Sequence, residues 1–223
     1  MKKILLFGAG LHASYCIDII KLEAKYSIVG FVDSIKDIGT NIFGYPVLGR
    51  QDQLKALVEQ HDIDGGIITI GDNWSRKYVV DQIRNQIADF TFYSAIHPSV
   101  IIADSSCLGL GSVFMAGCII STNAEIGDFC FFATGAQLNH DSKMGDYASI
   151  SAGSVTGGKV LIGSFAAITL GVTILDRITI GRNTVVGAGS LVVKDLPDNV
   201  LAYGTPARII RTRFEGEKFL KSN

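Results

Sequence analysis

The chain has 223 residues, of which 48% are hydrophobic and 18% charged, with 25 glycines and a formal net charge of −1 at pH 7. This composition predicts a globular, turn-rich protein of one large or two ordinary domains. It argues against nucleic-acid binding, which needs clustered Lys and Arg to neutralise phosphates, and no stretch approaches the ~20 apolar residues that a membrane span requires.

The cysteines indicate a reducing environment. Cys16, Cys107, Cys118 and Cys130 show no CxxC spacing, which argues against disulfides and against a structural metal site. The opening MKKILLFGAG has too short an apolar run for a signal peptide and leads directly into a structural motif. We therefore expect a cytoplasmic location and no metal.

Residues 1–93 predict a small α/β domain with the layout of a nucleotide-binding fold. The pattern is typical of alternating strands and helices, with four strands at most. The predicted strands are Lys3–Phe7, Ser27–Val32, Gly65–Ile70 and Phe90–Tyr93; the predicted helices follow Gly10, span Asp52–Gln60 and span Ser75–Ile87. A strand, a glycine-rich turn, a helix and a second strand make a nucleotide-binding βαβ unit.

The turn Gly8-Ala9-Gly10-Leu11-His12-Ala13 supplies the phosphate-binding pattern of that unit, with Ala13 in place of the third glycine. A helix N-terminus at this turn favours negative charge. Three interpretations stay open: an NAD site, a glycine turn without a ligand, and a nucleotide or nucleotide-sugar site. In the third, Asp33 accepts from the ribose or base, and the turn Gly71-Asp72-Asn73 closes the other side of the site at the same sheet edge.

From Ile96 to Val192 an apolar residue recurs at every sixth position, and Thr156 is the one polar exception. A small or β-branched residue stands two positions before each, and Gly109, Gly127, Gly145, Gly163 and Gly181 recur every eighteen residues. A period of six that closes at eighteen predicts coils of three short strands stacked as a parallel β-helix. We expect this domain to span residues 94–213, followed by a tail at residues 214–223.

Breaks in the repeat mark the candidate chemistry, because a β-helix alone is a scaffold. His140 follows the inward Leu138, and Gly158 stacks one coil above it and removes the side chain that would cover it. Asp141 adjoins the histidine. Imidazole, with a reference pKa of about 6.5, can accept a proton from an attacking amine or hydroxyl at neutral pH. A backbone N–H near Gly158 is the candidate donor to the oxyanion.

The hexads, ending in Gly204-Thr205-Pro206-Ala207-Arg208, resemble the hexapeptide-repeat acyltransferases. Their combination with the N-terminal glycine turn narrows the resemblance to the sialic-acid O-acetyltransferase and bacillosamine-pathway N-acetyltransferase family, which modifies activated bacterial sugars. The resemblance extends to about Arg213. It implies a left-handed parallel β-helix, a homotrimer with sites between subunits, and acetyl-CoA as co-substrate.

The resemblance also implies roles for individual residues. His140 would be the general base and Asp141 the acid that orients it. The residues expected around the nucleotide-linked sugar are Gly10, Leu11, His12, Asp33, Ser34, Gly71, Asp72 and Asn73. The residues expected around acetyl-CoA are Ser149, Gly158, Leu170, Gly187, Ala188, Lys194 and Arg208. Some members carry a second histidine where this chain has Ser149, so no imidazole is expected to contact CoA there.

The predicted function is therefore N-acetylation of a nucleotide-linked amino sugar, with a UDP-linked 4-amino-4,6-dideoxy sugar as the expected acceptor, in bacterial surface-glycan biosynthesis. One alternative is an O-acetyltransferase for a sialic-acid-like sugar. Another is a non-catalytic trimeric protein that assembles or senses nucleotides. An NAD-dependent oxidoreductase is disfavoured because the chain offers no catalytic residues for hydride transfer.

Overall fold

The computed structural model describes residues 1–220 of the chain, as a small α/β unit followed by a parallel β-helix. In the α/β unit the elements are β1 (Lys2–Phe7), α1 (Leu11–Glu23), β2 (Tyr26–Val32), β3 (Asn41–Ile42), β4 (Tyr45–Gly49), α2 (Leu54–His61), β5 (Gly65–Ile68) and α3 (Asn73–Gln86), with a 3₁₀ turn at Gln51–Gln53. Neither these helices nor any other in the described residues is long and apolar enough to cross a membrane.

The sheet of this unit has the order β3-β4-β2-β1-β5, with β1 paired in parallel to β2 and β5. Alternate residues of β1 point to opposite faces, so Ile4 and Leu6 pack with α1 while Leu5 and Phe7 pack with the side of α2 and α3. All four side chains are fully buried. The βα turns therefore lie together at the carboxyl edge of a sheet covered on both faces.

Two of the sequence expectations for this sheet were wrong, namely the strand at Phe90–Tyr93 and the limit of four strands, since the sheet has five. The segment Phe90–Tyr93 is not a strand; it makes one isolated bridge, between Gly66 and Phe92. A hairpin instead extends the other side of the sheet, where β3 and β4 are joined through Phe43 and Gly44, both with positive φ. Its strands have only two and five residues, too few to carry the alternating apolar pattern that would predict them.

The β-helix contains seventeen two-residue strands, each paired in parallel with the strand eighteen residues away. Face 1 comprises β6 (Ala95–Ile96), β9 (Val113–Phe114), β12 (Phe131–Phe132), β15 (Ser149–Ile150), β18 (Ala167–Ile168) and β21 (Val185–Val186). Face 2 comprises β7 (Ile101–Ile102), β10 (Ile119–Ile120), β13 (Gln137–Leu138), β16 (Val155–Thr156), β19 (Thr173–Ile174) and β22 (Leu191–Val192). Face 3 comprises β8 (Cys107–Leu108), β11 (Glu125–Ile126), β14 (Lys143–Met144), β17 (Leu161–Ile162) and β20 (Thr179–Ile180).

The second residue of each strand points into the prism, as the hexads predict. Phe114 and Phe132 stack there with ring centroids 4.8 Å apart, and Ile120 and Leu138 are buried above one another. The four cysteines are free thiols; Cys118 is one of the small residues that fill the corners of the core. After the last coil, β23 (Val200–Gly204) extends face 1 and turns into the antiparallel β24 (Ala207–Thr212).

Face 1 carries the α/β unit. Ala13 and Ile17 of α1 share a buried cluster with Val113 and Phe131 of the prism. At the edge between faces 3 and 1, an aromatic column of Phe129, Tyr147 and Phe165 stacks coil upon coil, and Trp74 of α3 stacks on its top ring with centroids 4.0 Å apart. The two parts are therefore joined by an extensive apolar contact.

Arg76 of α3 holds this joint together with hydrogen bonds rather than ion pairs. Its guanidinium is buried, and no carboxylate of residues 1–220 lies within 4.0 Å of it. The groups that accept from it are the carbonyls of Ile70, Gly71, Phe129 and Tyr147, the amide oxygen of Asn73 and the hydroxyl of Ser149. Burial lowers the pKa of Arg76 to about 10. The side chain thus ties the third βα turn to two coils of the prism.

Replacing Arg76 by Met is expected to destabilise the protein strongly, because buried carbonyls on both sides of the joint lose their donor. We expect the melting temperature to fall by about 6–12 °C, which corresponds to about 3 kcal/mol for a chain of this size. The control is R177M, since Arg177 is an exposed arginine on the edge of the prism opposite face 1. Equal melting temperatures for the two variants would contradict this account of the joint.

Candidate active site

His140 lies at the edge between faces 2 and 3, in the turn that joins β13 to β14. Its side chain is 52% exposed and that of Asp141 is 40% exposed. The Nδ1 atom of His140 lies 2.8 Å from Oδ2 of Asp141. With Nδ1 donating to this carboxylate, the lone pair of the imidazole is on Nε2, where it can accept a proton from a substrate.

Asn123, one coil below, orients the carboxylate in turn. Asn123 and Asp141 both adopt positive φ and stack eighteen residues apart, and the Asn123 amide donates to Asp141 Oδ1 over 3.1 Å. The hydrogen bond from His140, followed by that from Asn123, lowers the pKa of Asp141 below its ordinary value. The carboxylate therefore stays ionised at neutral pH, which is what an orienting acid requires.

Gly158 stands directly over the imidazole. A Cβ at this position would lie 2.4 Å from His140 Nε2, so any side chain would displace the ring. The expectation that the Gly158 N–H faces an oxyanion is wrong for this structure, because that N–H donates to Asp176 Oδ1 over 2.6 Å. The neighbouring N–H groups are also engaged: Gly157 donates to Ile174 O and Lys159 to His140 O.

The glycine turn after β1 leaves space for a ligand. A side chain at Gly8 would strike Ile70 and would have to adopt a φ of +103°, so this glycine serves the turn itself. Around Gly10, by contrast, nothing lies within 4 Å of where a Cβ would stand. Gly10 precedes the N-terminus of α1, and Leu11 beside it is 69% exposed. An anion at Gly10 would face the helix N-terminus.

Asp33 and Asp72 have structural partners at this edge of the sheet. Asp33 is buried and accepts from the N–H groups of Ala9, Ile35 and Lys36 at 2.7–2.9 Å. The carboxylate thus fastens the glycine turn to the end of β2. Ser34 beside it is exposed.

Asp72 caps α3 by accepting from the Ser75 N–H, and its second oxygen accepts from the Phe219 N–H. Asp33 and Asp72 therefore shape the turns that would surround a nucleotide, while a direct contact of either carboxylate with substrate stays a prediction.

His12 lies between the glycine turn and the prism. Its ring packs edge-on against Phe131 of face 1, with centroids 5.2 Å apart, and a Cβ on Gly71 would fall 2.1 Å from its Nε2. Its Nδ1 is buried and has no hydrogen-bond partner within the described residues. Burial, and secondarily the charge of Arg76, lower the pKa of His12 below its ordinary value. The ring is thus held neutral at the point where the two parts of the chain meet.

Two predicted ligand contacts do not fit the structure. Asn73 is fully buried: its amide donates to the Phe165 and Ala166 carbonyls, and its oxygen accepts from Arg76 and from the Ser149 hydroxyl. Ser149 is 1% exposed for the same reason. Both side chains belong to the joint between the α/β unit and face 1, so neither is available to a sugar nucleotide or to CoA.

The remaining residues predicted to bind CoA divide between two edges of the prism. Gly158 and Lys194 lie on the edge between faces 2 and 3, with His140. Leu170, Gly187 and Ala188 lie on the edge between faces 1 and 2, next to the face that carries the α/β unit. Leu170 is 59% exposed, and Arg208 lies exposed on β24. Face 2 separates the two groups within one chain.

The glycine turn and His140 likewise lie on opposite sides of one prism. The α/β unit covers face 1 and the edge between faces 3 and 1, where Trp74 packs. His140 occupies the edge opposite face 1. A nucleotide sugar held at the glycine turn therefore lies across the prism from the candidate base of the same chain.

Sequence reasoning missed three residues at these sites. Asn123 and Asp176 stand eighteen residues before Asp141 and after Gly158, so counting by the coil period would have found both. Arg76 carries no such signal, because its partners are mostly carbonyls brought together by the packing of α3 on the prism. Within residues 1–220 no group of three or more His, Cys, Asp or Glu side chains could hold a metal ion.

Both the α/β unit and the β-helix are similar to known proteins. Residues 3–83 match the PglD N-terminal domain family. A GDP-perosamine N-acetyltransferase from Caulobacter crescentus, solved in complex with CoA and GDP-perosamine, has a TM-score of 0.88 and 32% sequence identity, covering 95% of this chain and 98% of that one. The similarity confirms the expected fold, an α/β domain followed by a left-handed parallel β-helix.

More distant similarities agree. The acetyltransferase domain of PglB from Neisseria gonorrhoeae FA1090, in complex with acetyl coenzyme A, has a TM-score of 0.86 and 26% identity, covering 94% of this chain and 99% of that one. A galactoside O-acetyltransferase from Lactococcus lactis subsp. lactis (strain IL1403) is 63% identical over 30 residues, which span 14% of this chain and 14% of that relative.

The buried His12 predicts a loss of stability as the pH falls. Its pKa is lowered in the folded chain, so below about pH 6.5 the unfolded chain binds a proton that the folded chain does not. Stability therefore rises with pH through this window and declines on acidification. We expect the melting temperature to fall more steeply between about pH 7 and pH 5 in the wild type than in H12Q, with H61Q as the control. Parallel curves for wild type and H12Q would refute the assignment.

Proposed function

The chain belongs to the hexapeptide-repeat N-acetyltransferases of the bacillosamine and perosamine pathways, and within this acyltransferase family we propose that it acetylates a nucleotide-linked amino sugar with acetyl-CoA as donor. The observation that carries the proposal is the arrangement of His140, which Asp141 orients from the side and Gly158 leaves uncovered from above. The glycine turn of the α/β unit supports a nucleotide as the handle of the acceptor.

In the proposed reaction, His140 acts as general base. The thioester supplies an activated acyl carbon, which the sugar amine attacks directly, and the C–S bond breaks as the amide forms. Nε2 of His140 accepts the proton that the amine loses, and Asp141 stabilises the resulting imidazolium. The coenzyme leaves as the thiol once a proton reaches its sulfur, and no covalent acyl-enzyme is required.

We propose that each site is completed by a second copy of the chain, in a homotrimer. The support is the separation within one chain: the glycine turn lies on the side of face 1, whereas His140 lies on the opposite edge. The edge between faces 1 and 2 of one copy, facing the His140 edge of the next, would bring Leu170 and Ala188 opposite Gly158. Acetyl-CoA would lie in the groove between them, with Lys194 and Arg208 available to its phosphates.

The acceptor that we propose is an amino sugar linked to either UDP or GDP. The Caulobacter relative was solved with GDP-perosamine, so a GDP-linked amino sugar stands beside the UDP-linked 4-amino-4,6-dideoxy sugar expected from the sequence. The short identity to galactoside O-acetyltransferases makes a hydroxyl acceptor the second candidate. Release of free thiol from acetyl-CoA, measured with UDP-, GDP- and CMP-linked amino and hydroxy sugars, separates these cases.

We propose that this acetylation takes place in the cytoplasm, as one step in the synthesis of a bacterial surface glycan.

Substitution of His140 by Ala or Asn is expected to lower turnover by ~10²-fold or more, because the attacking amine loses its proton acceptor. Sedimentation of the variants should show the same assembly as the wild type, since the side chain is half exposed at a turn. H61A is the control, as His61 lies at the end of α2, outside the site. Wild-type turnover by H140A would remove the residue from the mechanism, whereas a wild-type protein that turns over none of the acceptors would favour a non-catalytic assembly.

Mixed oligomers test whether the site is shared between copies. A chain with H140A and a chain with G10W, which would fill the open space at the glycine turn, should each be inactive alone. Co-expressed in equal amounts, they should regain about a quarter of wild-type activity, because one in four sites then combines an intact turn with an intact histidine from different copies. No recovery in verified mixed oligomers would show that each site lies within one chain.

A further inference from the structure

The hydrogen-bond ladder of face 2 is interrupted at the residue before His140. In the other coils of this face, the residue after each strand donates its N–H to a carbonyl one coil above: Ala103 to Ile120, Ser121 to Leu138, Gly157 to Ile174 and Leu175 to Val192. The equivalent bond from Asn139 to the Thr156 carbonyl is not formed. The Asn139 N–H donates instead to the Thr156 hydroxyl, over 2.9 Å.

The strand pairing shows the same interruption. Each neighbouring pair on face 2 is matched at two positions, as in Ile119 with Gln137 and Ile120 with Leu138. Strands β13 and β16 are matched only at Gln137 and Val155. The pleat therefore departs from the repeat at Thr156, where the only polar inward side chain of the hexads stands.

Thr156 is 2% exposed, inside a prism whose other inward residues are apolar. A buried hydroxyl in such a core is costly unless it is hydrogen-bonded, and here its partner is the Asn139 N–H. Valine has the same shape without the polar group and occupies inward positions elsewhere, as at Val186 and Val192. Packing alone therefore gives no reason for a threonine at this position.

The redirected bond acts on the turn that carries the base. The Asn139 side-chain oxygen accepts from the His140 N–H over 3.0 Å, and the His140 carbonyl accepts from the Lys159 N–H over 2.8 Å. The backbone of His140 is thus held on one side through Asn139 and Thr156, and on the other by the coil above. The ring itself is fixed by Asp141. The position of Nε2 depends on all of these contacts.

We infer that Thr156 is a positioning residue for the acetyl transfer: its hydroxyl replaces a ladder carbonyl and sets the turn in which His140 meets the acceptor. The inference rests on the proposed function, because it concerns the same base. Thr156 acts through Asn139 and touches neither substrate.

The test is steady-state kinetics of T156V, T156S and T184V. Valine removes the hydroxyl, so the Asn139 N–H either loses its partner or returns to the regular ladder, and the turn moves in both cases. We expect T156V to lower kcat by ~10-fold or more while the KM values for acetyl-CoA and nucleotide sugar change by less than ~3-fold. T156S, which keeps the hydroxyl, should restore kcat to within ~3-fold of wild type. T156A carries the same expectation as T156V.

T184V is the matched control. Thr184 is fully buried, and its hydroxyl donates to Pro197 O and accepts from the Val200 N–H. Its loss should lower the melting temperature without lowering kcat. A kcat of T156V within ~2-fold of wild type, or an equal loss in T184V, would overturn the inference. H140A separates failure of the inference about Thr156 from failure of the proposed function. If H140A is inactive and T156V is fully active, only the inference about Thr156 fails. An active H140A refutes His140 as the base.

Discussion

Between residues 95 and 192, a coil of eighteen residues places each side chain of the prism above the one eighteen positions earlier, and the candidate chemistry depends on that vertical order. Asn123 orients Asp141 from one coil below. Gly158 leaves the imidazole uncovered from one coil above. The short parallel strands confer little precision alone, but their stacking fixes each turn between two others. A site assembled in this way holds its groups in place without a loop or lid from the same chain.

The second constraint is the joint between the α/β unit and face 1. Arg76 and the aromatic column attach the α/β unit to the face 1 side of the prism. The glycine turn therefore lies on the side away from the edge that carries His140. Under the proposed function, a nucleotide sugar held by a unit docked on face 1 would be presented to a neighbouring prism. A second copy of the chain would then supply the histidine of the site, in addition to any stability that oligomerisation contributes.

How far the sequence predicts the structure depends on how local each signal is. The hexads predict the three-faced prism, because one inward residue per face is a repeated local rule, and the glycine turn predicts the first βα unit for the same reason. The left-handed coiling was implied only by the family resemblance. The contacts of Asn73 and Ser149 were mispredicted because they depend on how α3 packs on face 1, which no periodicity encodes. The same holds for Arg76. The hairpin of β3 and β4 was missed because its strands are too short to show an alternating apolar pattern.

Two residues were singled out in the sequence, but their hydrogen bonds are seen only in the structure. Thr156 stood out as a polar inward residue, but only the structure shows that its hydroxyl takes a ladder bond from the residue beside His140. Gly158 was correctly expected over the histidine, yet its N–H is occupied by Asp176, a residue that the same coil count would have identified. Departures from a strict repeat therefore mark the candidate site, and their hydrogen bonds show which partner each residue has.

The most direct test of the central claim is a structure of the oligomer bound to CoA and a nucleotide-linked amino sugar. The account predicts that the nucleotide lies at the glycine turn of one copy, and that the amine nitrogen of its sugar lies about 3 Å from Nε2 of His140 in the neighbouring copy. A nucleotide bound elsewhere, or an amine remote from every His140, would contradict it.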